Sequence, residues 1–370
     1  MRIGLLIDSF RVGGAEMLCL NICRGFITLG HTVSVIALGV TGPMESRFTS
    51  CGATCYALKC SQGIHLRSMV HLYHIFKKHH LDLVVSNHFR QLLYCWLPAW
   101  AGGIHHFHVE HDNLIYRNSS KYLWLLKFMQ FRLQSLVTIS PTLQQWFSKN
   151  LSASKGRIHL ISNGVDPSIF HEDIIIRKAL RKDLGLDETY VIVGTCARLE
   201  PIKNISLMLK IFKKFHDHLN KSKLIIIGDG SCRNQLENEA IELHLEKEVI
   251  FTGMRTLPVS YLQAMDLYLV TSDDEGLPLS VLEAMSCGVP IVSRDVGDLT
   301  RIITLEFGAV VKSTDPECWT IAMLQVLNKS ELRHNCQRLV TEQYSIQKCI
   351  DSYLSLFMST LRGKSRKVTT

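Results

Sequence analysis

Short apolar runs alternate with amphipathic stretches along most of the chain. In the first half, residues 3–8, 32–38, 81–86, 105–110 and 136–140 read as strands, because each is a brief run of mainly apolar residues. Between them, Gly13-Gly14-Ala15-Glu16 opens a helical pattern that runs to about Leu29. Residues 65–79 have helical spacing, with Leu66, Val70, Tyr73 and Phe76 on one face. Residues 113–136 read as a single helix with two apolar faces. Tyr122, Leu126, Met129 and Leu133 form one stripe, and Trp124, Phe128 and Phe131 lie opposite, beside Lys121 and Arg132. The cluster Asn163-Gly164-Val165-Asp166-Pro167 is a turn signal and a domain boundary.

A second series follows, with strands at 190–196, 223–227, 249–251, 267–270 and 290–293 and helical patterns at 204–218 and 231–243. Strand–helix alternation of this kind predicts parallel, doubly wound α/β sheets. Two Rossmann-like domains are expected, 1–167 and 168–345, with ligands at the carboxyl ends of the strands and the active site in a cleft between the domains. A last helical pattern, 346–361, ends in the basic tail Arg362-Gly363-Lys364-Ser365-Arg366-Lys367.

A chain of 370 residues accommodates two such domains. Its net charge of +8 is unevenly placed: residues 1–166 carry 16 basic and 7 acidic side chains, and the remainder is close to neutral. Twelve of the 17 histidines fall in the same first part. The first domain is therefore expected to face something anionic, and chance is the plainer alternative. The twelve cysteines are spread over a large chain and read as reduced thiols in cytosol. The opening residues are broken by Asp8 and read as a strand rather than an export signal. The uncharged stretch 91–106 contains Pro98 and Gly102-Gly103 and falls short of the roughly 20 residues of a spanning helix. Trp124, Phe128 and Phe131 beside basic residues suit an interfacial membrane helix; a helix buried on two sides is the alternative.

Candidate chemistry gathers in the second half. In Ser272-Asp273-Asp274-Glu275-Gly276-Leu277-Pro278-Leu279-Ser280-Val281-Leu282-Glu283, two carboxylates flank a helix start. Pro278 is expected at the first helical position, leaving the N–H groups of Leu279 and Ser280 free to form an anion site with the helix dipole. Arg198 and Lys203 share one strand-to-helix loop, where two cations would neutralise a diphosphate; a solvated loop is the bland alternative. Gly228-Asp229-Gly230 reads as a structural tight turn. In the first domain, Gly13-Gly14 follows a strand and lets backbone approach a ligand. His111 ends a strand, where its imidazole could meet a substrate, with His105, His106 and His108 nearby. Alternation sends those histidines to both faces, which argues against zinc.

Taken together and in order, these pieces resemble glycosyltransferase family 4, retaining enzymes of the GT-B fold. The likeness spans nearly the whole chain. It rests on Gly13-Gly14-Ala15-Glu16, His111-Asp112, Val137-Thr138-Ile139-Ser140, Asn163-Gly164-Val165-Asp166, Arg198 with Lys203-Asn204, Ile226-Ile227-Gly228-Asp229-Gly230, Phe251-Thr252-Gly253 and the run from Glu275 to Met285. The resemblance implies a hexosyltransferase that moves a sugar from a nucleotide-diphosphate sugar to a lipid-linked or saccharide acceptor. Family frequency favours UDP. Glu283 would hold the ribose hydroxyls, and Glu275 and Gly276 the transferred sugar. Arg198 and Lys203, with the Leu279 and Ser280 N–H groups, would take the diphosphate. His111 would reach the donor sugar, and Gly14 would lie near the diphosphate or acceptor. The first domain would bind the acceptor, and the last helix, 346–370, would cross back to it. Pro278 departs from the glycine many members carry. No metal or other cofactor is expected, since Asp273-Asp274 lacks metal-site spacing. No nucleic-acid partner is expected. A cytoplasmic enzyme, peripheral on the membrane's cytoplasmic face, would make surface polysaccharide or glycolipid. Two other readings stay open: a nucleotide-sugar epimerase of the same fold, and a non-catalytic nucleotide-binding scaffold.

Overall fold

The computed structural model describes residues 1–61, 63–112, 114–151 and 156–365, with side chains up to Leu361. The basic tail 362–367 therefore lies outside the described side chains. The chain divides into two units, the first ending at Gly164 and resuming at Ile346, the second running from Val165 to Ser345. Val165, Asp166 and Pro167 go with the second unit, where Val165 N–H donates to Tyr344 O at 2.8 Å.

Unit 1 holds seven strands: β1 (Arg2–Ile7), β2 (Thr32–Ala37), β3 (Thr54–Ala57), β4 (Leu83–Asn87), β5 (His105–Glu110), β6 (Ser135–Thr138) and β7 (Ile158–Leu160). All pair parallel in the order β3-β2-β1-β4-β5-β6-β7. Unit 2 holds β8 (Val191–Cys196), β9 (Ser222–Ile227), β10 (Val249–Gly253), β11 (Leu267–Val270), β12 (Ile291–Arg294) and β13 (Gly308–Val311). These are also parallel, in the order β10-β9-β8-β11-β12-β13. The inner strands are buried along nearly their whole length, as sheets covered by helices on both faces require. In each sheet the order reverses beside the first strand, between β1 and β4 and between β8 and β11. Loops leaving those strands diverge and open a crevice.

Two sequence expectations change here. The helix Leu66–Lys78 buries Met69, Leu72, Ile75 and Phe76, while Leu66 and Val70 face solvent. The apolar stripe of that segment is thus rotated from the expected one, sharing only Phe76. Residues 113–136 are not one helix. Leu114–Asn118 and Ser120–Met129 are separate helices, broken where Ser119 is extended, and a 3-10 turn at Gln130–Arg132 leads into β6. Leu126, Met129 and Leu133 are buried, but Trp124, Phe128 and Phe131 are more than half exposed, so this segment is not buried on two sides.

The helix Ile346–Ser365 packs against Gly14–Thr28 within unit 1. The crossing is close: a Cβ on Gly25 would lie 2.1 Å from Ile350 Cδ1. Phe357 fills the space below, with ring centroids 4.7 Å from Phe107 and 5.9 Å from Phe26. All twelve cysteines are free thiols. No helix among the described residues is long and apolar enough to cross a membrane.

Candidate functional site

At the reversal point of unit 2 a crevice is lined by Thr195, Cys196, Lys203, Ser272, Glu275 and Ser280, among others. Its centre is an ion pair. Lys203 Nζ lies 2.5 Å from Glu275 Oε1, and Ser272 Oγ donates to the same oxygen at 2.6 Å. The two side chains are 18% and 11% exposed, so solvent screens them weakly and losing one would strand the other's charge.

The backbone holds that pair in place from several directions. Asp273 N–H donates to Ile202 O at 2.9 Å, and Thr271 Oγ1 donates to Lys203 O at 3.1 Å. Asn204 sits in the left-handed region (φ 49°) and caps the helix Ile205–His218, its Oδ1 accepting from Leu207 N–H. Its Nδ2 donates to Asp273 Oδ1 at 3.3 Å, and Arg294 pairs with the same carboxylate. Gly297 closes the loop from outside. Its φ is +53°, and a Cβ there would lie 1.8 Å from Glu275 O. No other residue fits without moving Glu275 or Gly276.

Pro278 is the N-cap and not the first helical residue. Its ψ of 129° is extended, and the helix is Leu279–Ser286. Pro278 O accepts from Val281 N–H at 3.2 Å, leaving the N–H groups of Leu279 and Ser280 as the helix's free donors. The helix starts one residue later than expected, and the two open N–H groups are the same ones. Glu283 follows a turn further on. Its carboxyl is half-buried with no hydrogen-bond or ion-pair partner among the described residues, and burial raises its pKa to about 7. Beside it the Cys196 thiol is pushed up to about 12, by burial and then by the Glu283 charge.

Arg198 is exposed, with no hydrogen-bond or ion-pair partner for its side chain among the described residues. Its loop is firmly seated, because Leu199 N–H donates to Asp229 O and Cys232 N–H to Leu199 O, each at 2.9 Å. Gly228 and Gly230 permit that contact: Cβ atoms there would lie 1.9 Å from Ala197 O and 2.4 Å from Leu199 O. Arg198 and Lys203 thus differ in kind, one cation free and the other already paired.

At the reversal point of unit 1 lie Asn87, His88 and His111, with the exposed Gly14 at the start of its helix. Asn87 Nδ2 donates to Leu6 O at 2.9 Å, which turns its Oδ1 toward His111 Nε2 at 3.3 Å. This network assigns the proton to Nε2 and leaves the Nδ1 lone pair free. Burial, then the neighbouring His88 and His108, hold the His111 pKa well below the ordinary value. His88 has a φ of +62°, and its ring stacks on His111 at 4.6 Å and 35°. On the opposite sheet face, His106, Ser86, His108, Glu110 and Tyr116 form one buried hydrogen-bonded chain. Those histidines are core partners, and no metal-holding group occurs among the described residues. Sequence reasoning gave Ser272 and Asp273 no role and passed over Arg294, Gly297, Asn87 and His88. Gly297 after a strand was a signal available to it.

Two doubly wound units of one strand order define the GT-B class of fold. Residues 12–169 match the family described as Glycosyltransferase Family 4, and residues 176–342 match Glycosyl transferases group 1. The chain belongs to the family-4 glycosyltransferases. It is 25% identical over 312 residues to the UDP-Gal:alpha-D-GlcNAc-diphosphoundecaprenol alpha-1,3-galactosyltransferase of Escherichia coli, covering 81% of each chain. It is 31% identical over 147 residues to the alpha-monoglucosyldiacylglycerol synthase of Streptococcus pneumoniae, 39% of this chain and 33% of that one. Among solved structures it is similar to Anabaena HepE in complex with UDP and glucose (TM-score 0.83, 18% identity, 97% and 100% of the chains covered).

Proposed function

We propose that the protein is a retaining hexosyltransferase that moves a sugar from a UDP-sugar to a lipid-linked or saccharide acceptor in surface polysaccharide or glycolipid synthesis. The observation that carries this reading is the unit 2 crevice, lined by the paired Lys203 and Glu275 and by Ser280 at an open helix start, with the unpartnered Glu283 carboxyl a turn further along that helix and Arg198 on the loop that leads to Lys203. That set suits the parts of a nucleotide sugar. Glu283 accepts from the ribose hydroxyls. The Leu279 and Ser280 N–H groups, Arg198 and Lys203 take the diphosphate, acting as preorganised electrostatics without a metal. As phosphate draws Lys203 away, Glu275 is freed to accept from hydroxyls of the sugar. His111 offers its Nδ1 lone pair to a sugar hydroxyl. The C1–O bond to the diphosphate breaks, the acceptor oxygen bonds to C1 from the same face, and its proton passes to the leaving phosphate oxygen. Relatives named for UDP-Gal and for lipid-linked products support the donor and acceptor classes.

Activity of Glu275→Ala and Arg198→Ala with a competent donor and acceptor tests the assignment. Each is expected to lose about 10²-fold or more; full transfer in both would defeat it. The product's anomeric configuration, read by NMR, should match the donor's. Product formed without any acceptor would instead favour the epimerase.

The acceptor unit is also read as docking on anionic lipid at the cytoplasmic face of the membrane. Trp124, Phe128 and Phe131 are joined by the exposed Trp100, over which Arg132 lies at 5.0 Å, and Trp96 bridges Trp100 and Phe128. Aromatic rings interleaved with bases on a basic unit suit an interface carrying anionic headgroups. Co-sedimentation with phosphatidylglycerol vesicles should fall at least tenfold in a Trp124/Phe128/Phe131 triple alanine variant, and unchanged binding would remove the claim.

A further inference from the structure

Strands β8 and β11 part at the unit 2 crevice. Their pairing ends with Tyr268 opposite Gly194. Each strand then runs on for two residues paired on its outer side alone, β8 with β9 and β11 with β12. Backbone groups that face one neighbouring strand recur at every second residue. Ile192 O accepts from Asp266 N–H at 2.8 Å, so the N–H and C=O of Cys196 also point toward β11, past the end of the pairing.

The Tyr268 hydroxyl takes the place of the missing strand. It accepts from Cys196 N–H at 2.9 Å and donates to Cys196 O at 3.0 Å. The hydroxyls of Thr195 and of Ser280, at the start of the helix Leu279–Ser286, are hydrogen-bonded to it as well. Burial, then the neighbouring Cys196, raises the Tyr268 pKa well above its ordinary value, so it keeps its proton. Tyr268 is only 1% exposed and lies on the crevice lining with Thr195, Cys196 and Ser280. Packing alone would be served by phenylalanine, because the ring supplies the buried apolar area. The hydroxyl adds a link between two walls of the crevice.

We propose that Tyr268 is a positioning residue for the diphosphate: its hydroxyl ties the end of β8 at Cys196 to the helix start at Ser280, and so keeps the open N–H groups of that helix aimed into the crevice. The inference rests on the reading that this crevice takes a nucleoside diphosphate, and it adds what sets the spacing of the phosphate site. Tyr268 acts through Ser280 and Cys196 and touches no substrate itself.

UDP and uridine binding test this, by calorimetry for UDP and by ligand-observed NMR for uridine. Tyr268→Phe should weaken UDP about fivefold and leave uridine, which has no phosphate, unchanged. Ser280→Ala keeps the N–H and removes the hydroxyl at the far end of the link, so adding Tyr268→Phe to it should cost less than about twofold more. Thermal unfolding checks that each variant folds. Amide hydrogen exchange reads the link without any ligand: Cys196 N–H should be protected in the wild type and lose protection in Tyr268→Phe. An unprotected Cys196 amide in the wild type, equal loss of UDP and uridine in Tyr268→Phe, or fully additive losses in the double variant would each overturn the proposal. UDP bound equally by wild type and Tyr268→Phe rejects the positioning role and leaves the donor reading. No UDP bound by a wild type whose Cys196 amide is protected rejects the donor reading, and the phosphate role with it.

Discussion

The two reversal points share a strand order and differ in what fills them. In unit 2 the crevice is wired with charge: Lys203 to Glu275, and Arg294 and Asn204 to Asp273. In unit 1 the corresponding edge holds a stacked histidine pair and an asparagine, with one partly exposed ion pair, Arg90 to Asp8 at 3.1 Å, at the end of β1. One topology thus supplies two kinds of pocket, because loops and strand ends, and not the sheet, carry the ligand-facing groups. A charged crevice must keep its ions compensated while empty, which the Lys203–Glu275 pair does. On the unit 1 side, burial and then the neighbouring His88 and His108 hold the His111 pKa well below the ordinary value.

The largest expected effect breaks the wired side. Lys203→Met should lower turnover about 10³-fold, since it removes a diphosphate cation and leaves Glu275 without its counter-charge. Steady-state kinetics checks this, and a loss under tenfold would show that Lys203 is dispensable. Gly297→Ala should come next. Its Cβ would strike Glu275 O, so activity should fall about 10²-fold, with roughly 1–3 kcal/mol of stability lost to strain or displacement at that left-handed position. Denaturant unfolding and kinetics together separate the two losses.

A smaller effect comes from pH. The Glu283 pKa is raised to about 7, so the carboxyl is protonated below that value and ionised above it. If ribose hydroxyls donate to it, UDP-sugar binds the ionised form better. Affinity should then weaken below pH 7, approaching about tenfold per pH unit, and Glu283→Gln should flatten the profile. The smallest effect is expected at His111. Its pKa lies well below the ordinary value, so its imidazole signal should not titrate by NMR between pH 6 and 8.

The fold was largely legible because strands buried on both faces are continuous apolar runs. The strands the sequence reading missed, β3, β7 and β13, are short and lie at sheet edges, where one side has no partner strand. The stripe on Leu66–Lys78 was misplaced because Leu66 and Val70 are apolar yet exposed. The candidate residues His111, Arg198, Glu275 and Glu283 could be picked out by type and place. Those that hold them could not. Gly297 meets Glu275, and Arg294 meets Asp273, across about twenty residues of chain, and Lys203 meets Glu275 across 72.

Calorimetric titration of UDP into the wild type, Arg198→Ala and His111→Ala tests the division between the two edges most directly. The account predicts at least tenfold weaker binding for Arg198→Ala and unchanged binding for His111→Ala. UDP affinity lost in His111→Ala and kept in Arg198→Ala would contradict it.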